Sequence, residues 1–285
     1  MTVQWEGPAD AAGYQWRLDG GAGTWTEGEE VILSSLYDGE HLFQVRCQDV
    51  AGNWGAWSGV PVLVDTFAPA VSVLVESGAE HALSGSVTVT VAVVETGSGV
   101  HAMRTSNDGS SWSDWGDFSA EFEHALEEGE GERTVHVQVR DLAGLVSVTA
   151  SDTIVVDLTP PDGAVEIEGG AVYTTDRVVT VGIAPGPESG AVAMSLRNAG
   201  GDFTPWMDLE QEVEWALPPG DGMKTLHLRL VDAAGLVSRV IEDTIELDTR
   251  PPTGTVVINA GDESTTSADV TLTLSSTGGA AAIAK

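Results

Sequence analysis

The chain reads as all-β: tandem antiparallel β-sandwiches strung into an elongated array. Three observations predict it. The stretch Asp141-Leu142-Ala143-Gly144 recurs as Asp49-Val50-Ala51-Gly52 and as Asp232-Ala233-Ala234-Gly235, in steps of 92 and 91 residues, the mark of one repeated supersecondary unit. The run before each Asp alternates: Phe43, Val45 and Cys47 against Gln44, Arg46 and Gln48, then Val135, Val137 and Val139 against His136, Gln138 and Arg140, then Leu226, Leu228 and Leu230 against His227 and Arg229. Period two with one apolar face is a half-buried antiparallel strand. Short strand-like runs continue along the chain between Gly, Asn, Asp and Pro turns, and no stretch combines helical period with caps.

Taken in order, each unit is built alike. Val71, Val73 and Val75 alternate after Pro69, and Val87, Val89, Val91 and Val93 alternate after them; Val87, Val179 and Val270 each lie 18 residues past the linker prolines Pro69, Pro161 and Pro252. A Ser98-Gly99-Val100 or Ser189-Gly190-Ala191 loop leads into a strand headed by Met103 or Met194. An aromatic pair follows, Trp112 and Trp115 or Phe203 and Trp206. The Asp-x-Ala-Gly stretch is a tight turn in which Gly takes positive φ. Sixteen residues after each turn Asp comes a second Asp and a proline-bearing link: Asp65 to Pro69, Asp157 to Pro161, Asp248 to Pro252. The boundaries follow: 1–65, a module without its first strand; 66–157 and 158–248, complete modules; 249–285, the opening strands of another.

The 285 residues carry 44 acidic and 12 basic side chains, a formal net charge of −32. Such a surface repels nucleic acid and anionic membranes, and it favours bound divalent cations or a salty medium. No apolar run is long enough to cross a bilayer. Met1 to Trp5 is already strand-like, so no signal peptide is expected. Cys47 is a lone cysteine at an inward strand position and reads as a small core hydrophobe. The six histidines read as surface residues, with no repeated carboxylate or serine partner. No His-Glu-x-x-His, phosphate-binding glycine loop, Gly-x-Ser-x-Gly or Cys-x-x-Cys occurs, so the chain is not expected to be an enzyme.

The run Phe43 to Ser58 resembles the closing strands of a fibronectin type III or bacterial immunoglobulin-like (Ig-like) module. The two central units resemble the tandem bacterial Ig-like repeats of secreted and cell-surface proteins. The residues that carry this are the Asp-x-Thr-Pro-Pro link, the Ser-Gly-Val loop, Trp112-x-x-Trp115 and Gly220-Asp221-Gly222-Met223-Lys224-Thr225. There are departures: His41, Arg133 and Lys224 stand where a fibronectin module places its corner tyrosine, and Leu145 and Leu236 stand where the turn usually carries Asn. The resemblance implies an extracellular or cell-surface stalk, spacer or adhesive segment whose partners are neighbouring modules, other surface proteins or glycans. Two other readings stay open: accessory modules of a secreted hydrolase, and glycan-binding modules. Strand exchange between the incomplete end segments of two copies is a further route to self-association.

Two constellations carry chemistry. In an Ig-like sandwich the last turn and the incoming link share one end of the module. Asp65 should therefore meet the Asp141 turn beside Glu95, and Asp157 should meet the Asp232 turn beside Glu188. Carboxylates and carbonyls converging on a point suit Ca²⁺, which takes about 6–8 oxygens. Each Asp also has a local reading, as an Asx cap of its turn or a strand end before a restricted link. The second constellation is aromatic. Trp54 and Trp57 resemble a box in which tryptophans stack with strand arginines, here Arg46 or Arg17. Trp112, Trp115 and Trp206 form either a sugar-stacking platform or repeated packing.

Overall fold

The computed structural model describes residues 1–277, and the expected end of the last segment at 278–285 lies outside them. The chain divides into two compact units, Met1–Asp157 and the remainder from Leu158 onward. Among the described residues every strand pairs only within its own repeat.

Six strands form the first repeat: β1 (Thr2–Gln4), β2 (Ala11–Leu18), β3 (Thr24–Thr26), β4 (Glu30–Ile32), β5 (Gly39–Asp49) and β6 (Ser58–Val64). β1 and β4 make one sheet and β3-β2-β5-β6 the other. Rings fill much of its interior: Trp5 meets Tyr14 edge-on at 5.6 Å, and Trp16 stacks on Phe43 at 6.0 Å.

The second repeat has eight strands: β7 (Ala70–Val75), β8 (His81–Ala82), β9 (Ser86–Val94), β10 (Val100–Ser106), β11 (Gly116–Asp117), β12 (Glu121–Ala125), β13 (Gly131–Asp141) and β14 (Ala150–Val156). The sheets are β12-β9-β7 and β11-β10-β13-β14-β8. β7 runs antiparallel to β9, whereas β8 runs parallel to β14, so the opening segment crosses from one sheet to the other. The crossing leaves backbone N–H groups to satisfy. Val75 N–H donates to Asp152 at 2.8 Å and Thr88 N–H to Glu76 at 2.7 Å, bracketing the short 3₁₀ turn Glu76–Gly78.

The third repeat copies this: β15 (Gly163–Ile167), β16 (Tyr173–Thr174), β17 (Val178–Pro185), β18 (Ala191–Asn198), β19 (Met207–Asp208), β20 (Glu212–Ala216), β21 (Gly222–Asp232) and β22 (Ile241–Leu247). Ile167 N–H donates to Asp243 and Thr180 N–H to Glu168. The last segment repeats the opening hairpin as β23 (Thr253–Ile258) and β24 (Leu272–Thr277), with Thr271 N–H on Asn259. Apart from two three-residue 3₁₀ turns the described residues contain no helix, and none is long and apolar enough to cross a membrane.

The two complete sandwiches fill their interiors differently. The second packs Val75, Val87, Val89, Val135, Val137, Val139 and Val156 around Ile154. The third packs Ile167, Leu196, Leu217, Leu226, Leu228, Leu230 and Ile245. Each such side chain contributes about 1.5–3 kcal/mol when fully buried.

Two sequence expectations need correction. His41 is not a surface residue: it is only 2% exposed, held from both ring nitrogens. Cys47 is half-buried rather than core, with Gly55 against its sulfur.

Candidate functional site

The site lies where the link after β6 meets the loops of the second repeat. Asp65 follows β6 directly. Its Oδ1 accepts Phe67 N–H at 3.1 Å, the local link turn, and its Oδ2 accepts Ser98 N–H at 2.7 Å. Gly97 makes that approach feasible: a Cβ there would sit 2.4–2.5 Å from the Asp65 carboxylate. Hydrogen bonding by Ser98, through its side chain and then its N–H, holds the Asp65 carboxyl below the usual range. Glu95 folds back on the same loop, accepting Gly97 N–H at 2.6 Å. Ser98 Oγ takes Ala143 N–H at 3.0 Å, and Gly99 C=O takes Leu142 N–H at 3.0 Å, so this loop and the turn after β13 are tied together.

Asp141 ends β13. Its Oδ1 accepts Leu145 N–H at 2.8 Å, closing the turn, and Gly144 adopts φ +91°. The residue is fully buried, and its Oδ2 has no hydrogen-bond partner. One oxygen each of Asp65, Glu95 and Asp141 lie within 4.8 Å of one another. The link and two loops of the second repeat thus bring these three carboxylates together. An unpartnered buried carboxylate oxygen costs about 1–3 kcal/mol, and a cation held there would offset that cost and relieve the repulsion among the three. A donor set of carboxylates only suits a hard divalent ion such as Ca²⁺, with water or backbone carbonyls completing about 6–8 ligands.

The other predicted carboxylates are taken unit by unit. Asp157 closes the first unit, its N–H on Ala82 C=O at 3.0 Å. Asp232 and Glu188 belong to the second unit. Asp232 is 5% exposed, caps Leu236 N–H through Oδ1, and also has an unpartnered Oδ2. The loop holding Glu188 passes close by, since a Cβ on Gly190 would lie 3.9 Å from that of Asp232.

The aromatic constellation is an arginine ladder. The Arg46 guanidinium lies 4.3 Å from the Trp54 ring centroid and 4.6 Å from Trp57, and Arg17 lies 4.2 Å from Trp57. In the second repeat Arg104 sits 4.8 Å from Trp112 and 4.7 Å from Trp115, with Arg140 also on Trp115. In the third, Arg229 sits 3.8 Å from Phe203 and 5.5 Å from Trp206, which remains 44% exposed. Such stacks contribute about 0.5–2 kcal/mol each. Arg46 and Arg104 are also fixed by Gln15 and Gln138.

Sequence reasoning missed the clasp on the links. Asp38 accepts Thr66 N–H at 2.6 Å and Thr66 Oγ1–H at 3.0 Å. Asp221 does the same for Thr249 and pairs with Arg250 at 2.9 Å. The signal was the Asp-Gly pair opening β5 and β21.

No family model and no curated protein matches the chain. Among solved structures it is similar to the fibronectin(III)-like modules of Clostridium thermocellum CbhA, at 12% identity over 61% of this chain and 93% of that one, with a TM-score of 0.39. It is similar to the FN1–FN3 domains of chicken CNTN1, at 12% identity over 86% and 93%, with a TM-score of 0.33. It is also similar to a tetra-tandem repeat in the extending region of a large adhesion protein, at 14% identity over 95% and 82%, with a TM-score of 0.30. The chain is a tandem array of fibronectin type III-like or Ig-like β-sandwich repeats, as its own strand order shows.

Proposed function

We propose that this chain is a non-catalytic extracellular array that serves as a stalk or spacer, and that Ca²⁺ held by Asp65, Glu95 and Asp141 stiffens the junction between its first two repeats. The observation that carries the reading is the grouping of Asp65, Glu95 and Asp141, one oxygen of each within 4.8 Å of the others, together with a fully buried Asp141 whose Oδ2 has no hydrogen-bond partner. Asp65 belongs to the link and the other two to the second repeat, so a shared ion would fasten the link to the module it enters. The repeat motifs that resemble those of surface proteins, and the net charge of −32, fit an array working among divalent cations.

Isothermal titration with CaCl₂ tests the reading, alongside thermal melts and small-angle scattering in Ca²⁺, Mg²⁺ and chelator. Calcium binding, a higher Tm and a stiffer particle in Ca²⁺ are expected, with Asp65→Asn weakening all three. Identical melts and scattering in Ca²⁺ and chelator would leave the three carboxylates as turn and link residues only.

A further inference from the structure

The same turn is built three times, and its second carboxylate oxygen has two fates. In the first repeat Asp49 accepts Asn53 N–H through Oδ1 at 2.8 Å and Asn53 Nδ2–H through Oδ2 at 3.0 Å, so both oxygens are satisfied within the turn. In the second repeat position 145 is Leu. The backbone bond to Oδ1 survives at 2.8 Å, but no side-chain amide reaches Oδ2. In the third, Leu236 leaves Asp232 Oδ2 in the same state. The turn backbones otherwise agree. The Asp N–H donates to the C=O four residues on at 3.0, 3.1 and 3.2 Å, and the glycines have φ +89°, +91° and +88°.

We propose that the residue four positions after the turn aspartate selects whether that aspartate is a cation ligand: Asn53 closes the first turn to metal, and Leu145 opens the second by leaving Asp141 Oδ2 without a donor. The inference rests on the calcium reading above and adds its determinant. An amide N–H and a cation compete for the same lone pairs, because a carboxylate oxygen already accepting a donor from inside the turn presents less charge outward. Leucine cannot donate, so the oxygen of a fully buried aspartate stays unpaired, which raises the demand for a counter-ion. Leu145 itself touches no metal in this scheme; it is a positioning residue that acts through Asp141. The third repeat has the same opening at Leu236 and Asp232.

Leu145→Asn is the test, since Asn53 already occupies this backbone conformation. In chelator the variant should melt higher than the parent, because the new amide satisfies the buried oxygen; a merely structural leucine would give a lower melt. Its Ca²⁺ affinity should fall at least tenfold, and the Ca²⁺-induced rise in Tm should shrink accordingly. Asn53→Leu should lower the chelator melt of the first repeat. If the parent chain shows no Ca²⁺ response, the calcium reading fails. If the parent responds and Leu145→Asn responds equally, the selector fails while the site stands. Should Leu145→Asn not fold, amide exchange at Leu145 in the parent decides. Slowing by Ca²⁺ supports a cation on Asp141, and unchanged exchange opposes it.

Discussion

The first and second repeats present two answers to the same local problem. Both end their longest strand in an aspartate and turn through Ala-Gly. The first completes the turn from its own side chains and is self-sufficient; the second leaves a buried carboxylate oxygen unpaired. The corner of the sandwich shows the reverse. There the second repeat is self-sufficient, with Arg133 donating to the carbonyls of Glu127, Glu128 and Glu132. The first instead uses His41, whose charge depends on pH. Two modules of one fold thus differ at both features: one leaves a buried carboxylate oxygen unpaired at its turn, and the other rests its corner on a titratable ring.

The largest effect that would break this comparison is at Gly97. Gly97→Val drives a side chain into the Asp65 carboxylate, so the link cannot seat; overpacking of this kind costs about 1–3 kcal/mol. The melt of the second repeat should fall and its Ca²⁺ response vanish, while the first repeat's turn is untouched.

Next is pH. His41 Nδ1 lies 2.7 Å from Asp19 Oδ2 and Nε2 lies 2.9 Å from Tyr37 C=O. Both partners are acceptors, so both ring nitrogens must carry protons. The Tyr37 carbonyl, then the Asp19 carboxylate, raise the pKa of His41 above 6.5, against the opposing pull of burial. Asp19 is the charged group facing it, and across to β6 its register partner is Val62. With a folded pKa above the unfolded one, the stabilisation is complete below about pH 6.5 and is lost as the pH climbs through the folded value. The first repeat should therefore melt lower at pH 9 than at pH 6, with the ring ¹⁵N shifts reporting two protonated nitrogens at pH 6. A single protonated nitrogen there would refute the arrangement. Asp19, whose pKa is lowered by His41 and by Leu42 N–H, acts in the opposite sense. Its contribution is present above about pH 3.8 and disappears as the pH falls through its folded value.

The smallest effect is at the clasp. Thr66→Val removes one hydroxyl bond to Asp38 and keeps the N–H bond, for a loss of about 0.5–1 kcal/mol. Faster amide exchange at Thr66 would be the readout, and no change would show that the backbone bond alone holds the link.

The sandwich was legible because its signals are local or periodic. Alternation in 135–139 and 226–230, the Asp-x-Ala-Gly turns and the proline links need no partner to be read. The grouping of Asp65, Glu95 and Asp141 was legible because the repeat fixes which loops share an end. What stayed hidden depends on one distant atom meeting another. His41 reads as a surface histidine until Asp19, on the turn after β2, is placed against it. Thr66 reads as link filler until Asp38 closes on it across 28 residues. The consequence of Leu145 was hidden for a different reason: a missing donor matters only once burial of Asp141 is known.

The valine interior of the second repeat and the leucine interior of the third bear on how a chain of near-copies folds. β13 and β21 have the same length and the same inward register, so during synthesis either could offer itself to the wrong partner strands. Val135, Val137 and Val139 leave room sized for valine; Leu226, Leu228 and Leu230 brought into it would force off-rotamer side chains, and the valines placed in the third repeat would leave voids. Neighbouring repeats that agree in turns and disagree in core volume can share an architecture without exchanging strands, a safeguard against the misassembly to which tandem proteins are prone.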